Sequence, residues 1–173
     1  MRGRLRADYK LVNAVGPDEE RKNKSEFMSF LSKFKDIKSI NLTDDFSQML
    51  DIEFEHTSTR SEISRPEFFT EYRGRIKSLT TNFVTVRYFI LRNDLNITNK
   101  LRISLDSRYI NITCEDVAQL FDATLAQNPM KLFNPMVTFE LHSLNFLNGI
   151  KMTMQRRHEI PFISIIHMSA KSP

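Results

Sequence analysis

Asn148-Gly149 lies between two long stretches in which apolar and polar residues alternate. An Asn-Gly pair supplies the two positive-φ positions of a two-residue hairpin turn, and flanking alternation supplies the strands. This segment therefore commits the chain to an antiparallel sheet. Before the turn, Val137, Phe139 and Leu141 share one parity and Leu144 and Phe146 the other. That phase change places an expected β-bulge near His142-Ser143. After the turn, Ile150, Met152 and Met154 alternate with Lys151, Thr153 and Gln155.

Other segments read as strands by the same rule. Ile52 and Phe54 alternate with Asp51, Glu53 and Glu55, and the polar run 57–61 reads as a loop or irregular hairpin. Residues 83–92 are rich in β-branched and aromatic types on both parities, as in a central strand. Leu101, Ile103 and Leu105 alternate with Arg102 and Ser104, and the apolar run from Phe162 to Met168 reads as an edge strand.

Helical spacing appears in four places. Phe27, Phe30, Leu31, Phe34 and Ile37 predict a helix over 24–39, with Asn23 and Glu26 as a capping box. Thr43 caps a short helix carrying Phe46, Met49 and Leu50 inward. Ser64-Arg65-Pro66-Glu67 has the form of a capping box with proline in the first turn, and Phe68, Phe69, Tyr72, Ile76 and Leu79 continue as a helical stripe. Thr113 and Asp116 cap a fourth helix, through Val117, Leu120, Phe121 and Leu125.

The chain of 173 residues fits one domain. Residues 1–22 read as a disordered polar tail, 23–168 as a single α+β domain, and 169–173 as a C-terminal tail. Residues 1–24 hold seven Lys/Arg and four Asp/Glu, so most of the formal +4 sits there and the body is nearly neutral. A nucleic-acid binder carries its basic stripe on the folded part, which makes nucleic acid an unfavoured partner. No apolar run is long enough to span a membrane. The N-terminus shows no secretory signal, which favours a cytoplasmic chain. Four Asn-x-Ser/Thr sequons, at Asn23, Asn41, Asn96 and Asn111, keep a secreted protein as the alternative. The one cysteine, Cys114, excludes an intramolecular disulfide and reads as a small buried apolar residue.

The order is helix, short helix, strand, capped helix, then long antiparallel strands. Over about 24–157 it resembles the nuclear transport factor 2-like superfamily. The likeness rests on the apolar pattern of 27–37, on Asp51-Ile52-Glu53-Phe54-Glu55 before a loop, and on Ser64-Arg65-Pro66-Glu67-Phe68-Phe69. It implies an α+β fold with N-terminal helices packed on a curved, mainly antiparallel sheet that closes into a cone. Members include small-molecule enzymes and non-catalytic binding or dimerisation modules, so the fold leaves function open.

Three functional readings follow. The first is a non-enzymatic module that binds a protein partner, a second copy of itself, or a small apolar ligand. Arg87, Tyr88 and His142 are its candidate ligand-binding residues. Leu144, Phe146, Met152 and Met154, with Met136, are its candidate outward-facing interface. The second is an isomerase- or dehydratase-like enzyme using His56, Glu53 or Asp106 inside the cone. The third is an RNA-binding module in which Tyr88 and Phe89 stack and Arg87 holds phosphate. No glycine-rich phosphate loop, nucleophile elbow or Cys/His metal spacing occurs, so neither a cofactor nor a metal is expected.

Overall fold

The computed structural model describes residues 13–61, 68–79, 83–92, 96–126, 128–133, 136–145 and 150–171. The fold is α+β. Helix α1 (Pro17–Ser32) runs into a 3-10 turn (Lys33–Asp36), and helix α2 (Asp44–Leu50) follows. Four strands come next: β1 (Ile52–Ser61), β2 (Phe68–Ile76), β3 (Val84–Arg92) and β4 (Ile97–Leu105). Helix α3 (Cys114–Leu120) then leads to β5 (Met130–Phe133), β6 (Thr138–Asn145), β7 (Lys151–Arg157) and β8 (Ile163–Lys171).

All eight strands form one open antiparallel sheet in the order β1-β2-β3-β4-β8-β7-β6-β5. Each half is a four-strand meander preceded by helix. The last strand of each half meets the other at the centre, where Thr98 to Ser104 pair with Lys171 to Ile165. The layout is two-fold in topology without any internal repeat in sequence.

Helices and one sheet face share a single core. Phe27, Phe30, Leu31 and Phe34 meet Val86, Tyr88, Leu101, Ile103, Met152, Met154 and Ile166 there. Phe46, Phe54 and Tyr88 pack ring against ring at centroid separations of 5.8 to 6.3 Å. The opposite, outer face carries Glu71, Arg73, Arg87, Lys100, Arg102 and His167, which alternate with the core residues along their strands.

Several expectations are corrected. Helix α1 begins at Pro17 rather than near residue 24. Proline in the first turn and Asp18, Glu19 and Glu20 beside the positive helix end are start signals, not a tail. Asn23 is therefore no cap. It is buried in mid-helix, and its Nδ2 donates to the Tyr109 carbonyl at 3.0 Å. Glu20 accepts from the Asn111 N–H, and Lys24 pairs with Asp116 at 2.8 Å, so this segment clamps α1 to the start of α3.

The expected helix opening at Ser64 is, over 68–76, strand β2; residues 62–67 lie outside the described ones. Tyr72, Gly74 and Ile76 turn towards the core, while Glu71, Arg73 and Arg75 take the other face. Residues 57–61 extend β1, with a bulge between His56 and Ser58, instead of forming a loop. Met49 is exposed, whereas Phe46 and Leu50 are buried. Strand β8 is central, not an edge, and reaches Lys171 in what reads as a tail. Its apolar residues on both parities suit a place between two neighbours.

The register of β6 with β7 is continuous, so no bulge sits at His142-Ser143; the irregularity lies between Gln155 and Arg156 on β7. Strands β6 and β7 do pair antiparallel, but Asn145 stands opposite Lys151 and not Met152, as a two-residue turn at Asn148-Gly149 would require; residues 146–149 lie outside the described ones. Thr43 and Thr113 cap α2 and α3 as expected, Thr113 within a full capping box.

Candidate functional site

The two edges of the sheet differ in chemistry. On β1 the outward positions Glu53, Glu55 and Thr57 are exposed and polar, with His56 exposed beside them. Charge on an edge strand discourages pairing with another chain. On β5 every residue is exposed, and Met130, Leu132 and Phe133 are apolar. Phe133 is 80% exposed and Met136, three residues on, 91%. Six large apolar residues are exposed among the described ones, and four of them fall within 130–136.

Register with β6 assigns their faces. Met130 lies opposite Leu141 and Leu132 opposite Phe139, on the outer face. Phe133 lies opposite Thr138 and Lys131 opposite Glu140, on the inner face. Leu141 and Phe139 are half-buried, so an apolar strip continues from β5 onto β6. Asn128-Pro129 and Asn134-Pro135 bracket β5, which confines the strand to four residues.

Beneath this edge sits a buried polar cluster on β6 and β7. Glu140 and His142 are both buried. The Glu140 carboxylate accepts from Arg156 Nη2 and from His158 Nδ1, each at 2.5 Å, and lies 3.4 Å from His142 Nε2. Arg156 also donates to the Ile160 carbonyl at 3.3 Å. Burial by itself would raise the Glu140 pKa. The hydrogen bonds from His158 and His142 and the Arg156 charge outweigh it and hold the carboxyl below its usual range. His142 Nε2 faces both Glu140 and Arg156 Nε, and its buried Nδ1 has no hydrogen-bond partner.

Cys114 lies at the start of α3 within electrostatic range of Arg156 and Glu140. Burial pushes its thiol up to about 12, so the group stays protonated at neutral pH. No three His, Cys, Asp or Glu side chains among the described residues are grouped to hold a metal ion. No helix of the described residues is long and apolar enough to cross a membrane.

The sequence candidates are dispersed. Glu53 and His56 sit on opposite parities of β1, and His56 stacks edge-on against Tyr72 with ring centroids 5.4 Å apart. Asp106 follows the end of β4, three strands away, where the Arg108 guanidinium holds its carboxyl low. These three do not converge. Arg87 faces outward and pairs with Glu71 at 3.3 Å. Tyr88 faces inward, and its hydroxyl donates to the Ile40 carbonyl at 2.8 Å; burial raises its pKa far above the ordinary phenol. It offers no stacking surface, and Phe89 is also buried.

Leu144, Met152 and Met154, expected as an outward interface, are core residues, and Phe146 lies outside the described ones. The reason is the inward placement of Glu140 and His142. They keep one parity of β6 facing the core along its length, so Leu144 joins the core without a bulge and Phe139 and Leu141 turn outward. A groove of about 350 Å³ lies where α2 meets β1 and β2, lined by Asp44, Ser47, Glu53, Phe54, Tyr72 and Lys77 among others. It is open and mixed in polarity, unlike the enclosed apolar pocket of a small-molecule site. Comparison with known proteins returns no match: no family model, no curated protein and no solved structure aligns with this chain.

Proposed function

We propose that the domain is a non-enzymatic association module that pairs with a second copy of its chain through the β5 edge. The observation that carries this reading is the exposed apolar strand at one edge, against a polar strand at the other. An unpaired edge offers a row of backbone donors and acceptors, and apolar side chains on both of its faces favour their removal from water. Two-fold pairing is the commonest closed assembly, and antiparallel β5–β5 pairing obeys that symmetry. A short strand supplies few backbone bonds, so the strip formed with Phe139 and Leu141 adds area to the contact.

The cone of the nuclear transport factor 2-like superfamily is the fold reading that accompanies this function. Leading helices packed on one face of an antiparallel sheet support it. Strand β2, standing where the resemblance calls for a capped helix, weighs against it. Among the described residues, the acid and base candidates of the enzymatic alternative, His56, Glu53 and Asp106, do not converge on one site.

Sedimentation at micromolar concentration tests the proposal. The wild-type chain is expected to run as a dimer, and Leu132→Lys combined with Phe133→Glu to run as a folded monomer. Both positions are exposed, so the substitutions leave the core intact. A wild-type monomer, or a dimer unchanged by the double substitution, rejects the β5 edge as the contact.

A further inference from the structure

A second site lies on the outer sheet face, away from the β5 edge and independent of it. Arg73, Arg87, Arg102 and His167 stand directly opposite one another on β2, β3, β4 and β8, forming one lateral row of three guanidinium groups and an imidazole. Neighbouring strands are about 4.8 Å apart, and like charges facing each other at that spacing destabilise a sheet. Towards β1 the row has counter-charges. Glu71 pairs with Arg87, and Glu55 stands opposite Arg73. Towards the centre it has none among the described residues. Lys100, two residues before Arg102 on the same face, stands opposite Ser169.

Two buried nitrogens mark this place. Arg102 Nε and His167 Nδ1 are both shielded from solvent, and neither has a hydrogen-bond partner among the described residues. Burial lowers the Lys100 pKa, with the Arg102 charge adding to it. Burial, then Lys100 and Arg102, hold His167 down to about 4. From β7, Thr153 opposes His167 without charge, and Lys151 opposite Ser169 adds another cation. Unpaired buried polar groups and crowded cations are costly, and proteins retain such arrangements where a ligand completes them.

We propose that Lys100, Arg102 and His167, with the Ser169 hydroxyl beside them, form a binding site for a phosphate group. Lys100 and Arg102 supply two positive charges around a neutral imidazole. That sum matches a phosphate dianion and exceeds a single carboxylate. Guanidinium, ammonium and hydroxyl donors together can satisfy several phosphate oxygens. Tyr88 faces the core and Phe89, opposite Lys100, is buried, so neither offers a stacking platform beside these cations, and the chemistry recognised is the phosphate and not a nucleic-acid strand.

The test is an NMR titration of the full chain, following the His167 ring and neighbouring amides as inorganic phosphate replaces chloride at constant ionic strength. The expected result is a saturable shift at His167, Arg102 and Ser169, with the His167 pKa raised because a bound dianion favours imidazolium. Arg102→Gln and Lys100→Gln are each expected to weaken binding about tenfold, the loss of one charge-assisted group. Amide spectra of both variants check that they stay folded. No saturable shift into the tens of millimolar, or equal binding by folded Arg102→Gln and Lys100→Gln proteins, overturns the site. Vesicles containing a phosphoinositide form the second arm. Binding tighter than inorganic phosphate assigns the group to a lipid headgroup, and binding no tighter assigns it to a soluble phosphate ester.

Discussion

Glu140 shows how one residue sets the orientation of a strand. Its carboxylate faces the core side of β6 and is paired there with Arg156 and His158, which removes the cost of burying the charge. Replacing it leaves the Arg156 guanidinium beside a buried His142 with no carboxylate to balance its charge. Glu140→Ala is expected to cost about 2–3 kcal/mol, below the figure for a fully enclosed pair because His158 remains half exposed. Denaturant melts measure it, and a loss under about 0.5 kcal/mol, ordinary for a surface change, would show that the cluster does not brace the edge. The sequence marked His142 as a candidate but did not connect it to its partners. Glu140, Arg156 and His158 come together only when β6 pairs with β7, and no spacing in the chain announces that contact.

At the scale of elements, β2 is the instructive case. Phe68 to Ile76 follows a capping-box pattern and supports a helical stripe, yet it folds as a strand. The period-two signal was present in Glu71-Tyr72-Arg73-Gly74-Arg75-Ile76, and a glycine within a helix costs about 1 kcal/mol. Pairing with β1 on one side and β3 on the other then decides the matter. Gly74 also has a packing role. A Cβ there would approach Ile52 Cγ2 and Phe54 Cε1 at 2.9 Å and Val86 Cγ1 at 3.1 Å. Gly74→Ala is expected to destabilise by about 1–3 kcal/mol through overpacking. A thermal melt showing equal or greater stability would mean that the side chains over β2 give way freely. Helices α2 and α3 were legible from their caps because capping is a local bond between residues three apart. Strand β5 was not, since four residues between two Asn-Pro pairs carry too short a pattern to mark a strand until β6 supplies the partner.

At the scale of the whole molecule, charge placement predicts acid lability. Glu140 and Asp116 are held below their usual pKa in the fold: burial opposes this, but His158, His142 and Arg156 act on the first, and Lys24 and Thr113 on the second. Their stabilisation is complete above the ordinary carboxylate range and is lost as pH falls through the depressed values. His167 acts at higher pH. Above pH 6.5 its ring is neutral in both states and adds nothing. As pH falls from 6.5 towards 4, the unfolded ring takes up a proton that the folded ring resists, so stability declines in that window. Urea midpoints measured in phosphate-free buffer should therefore fall in two stages. His167→Gln should flatten the upper stage and leave the lower one. An unchanged upper stage in that variant would place its origin elsewhere.

The chain by itself determined an α+β domain, the antiparallel β6–β7 hairpin, the capped helices α2 and α3, and an aromatic-rich core. Each of these depends on local signals: turn residues, side-chain periodicity and caps within a few positions. Tertiary structure decided that 68–76 is a strand, that β8 is central, and that Leu144, Met152 and Met154 face inward. It also decided that Arg73, Arg87, Arg102 and His167 stand side by side across the sheet. Those outcomes depend on pairing between segments as distant as Thr98 and Lys171. Strand pairing is a contest among all available edges. The free energy that settles it belongs to the assembled sheet, not to any one segment.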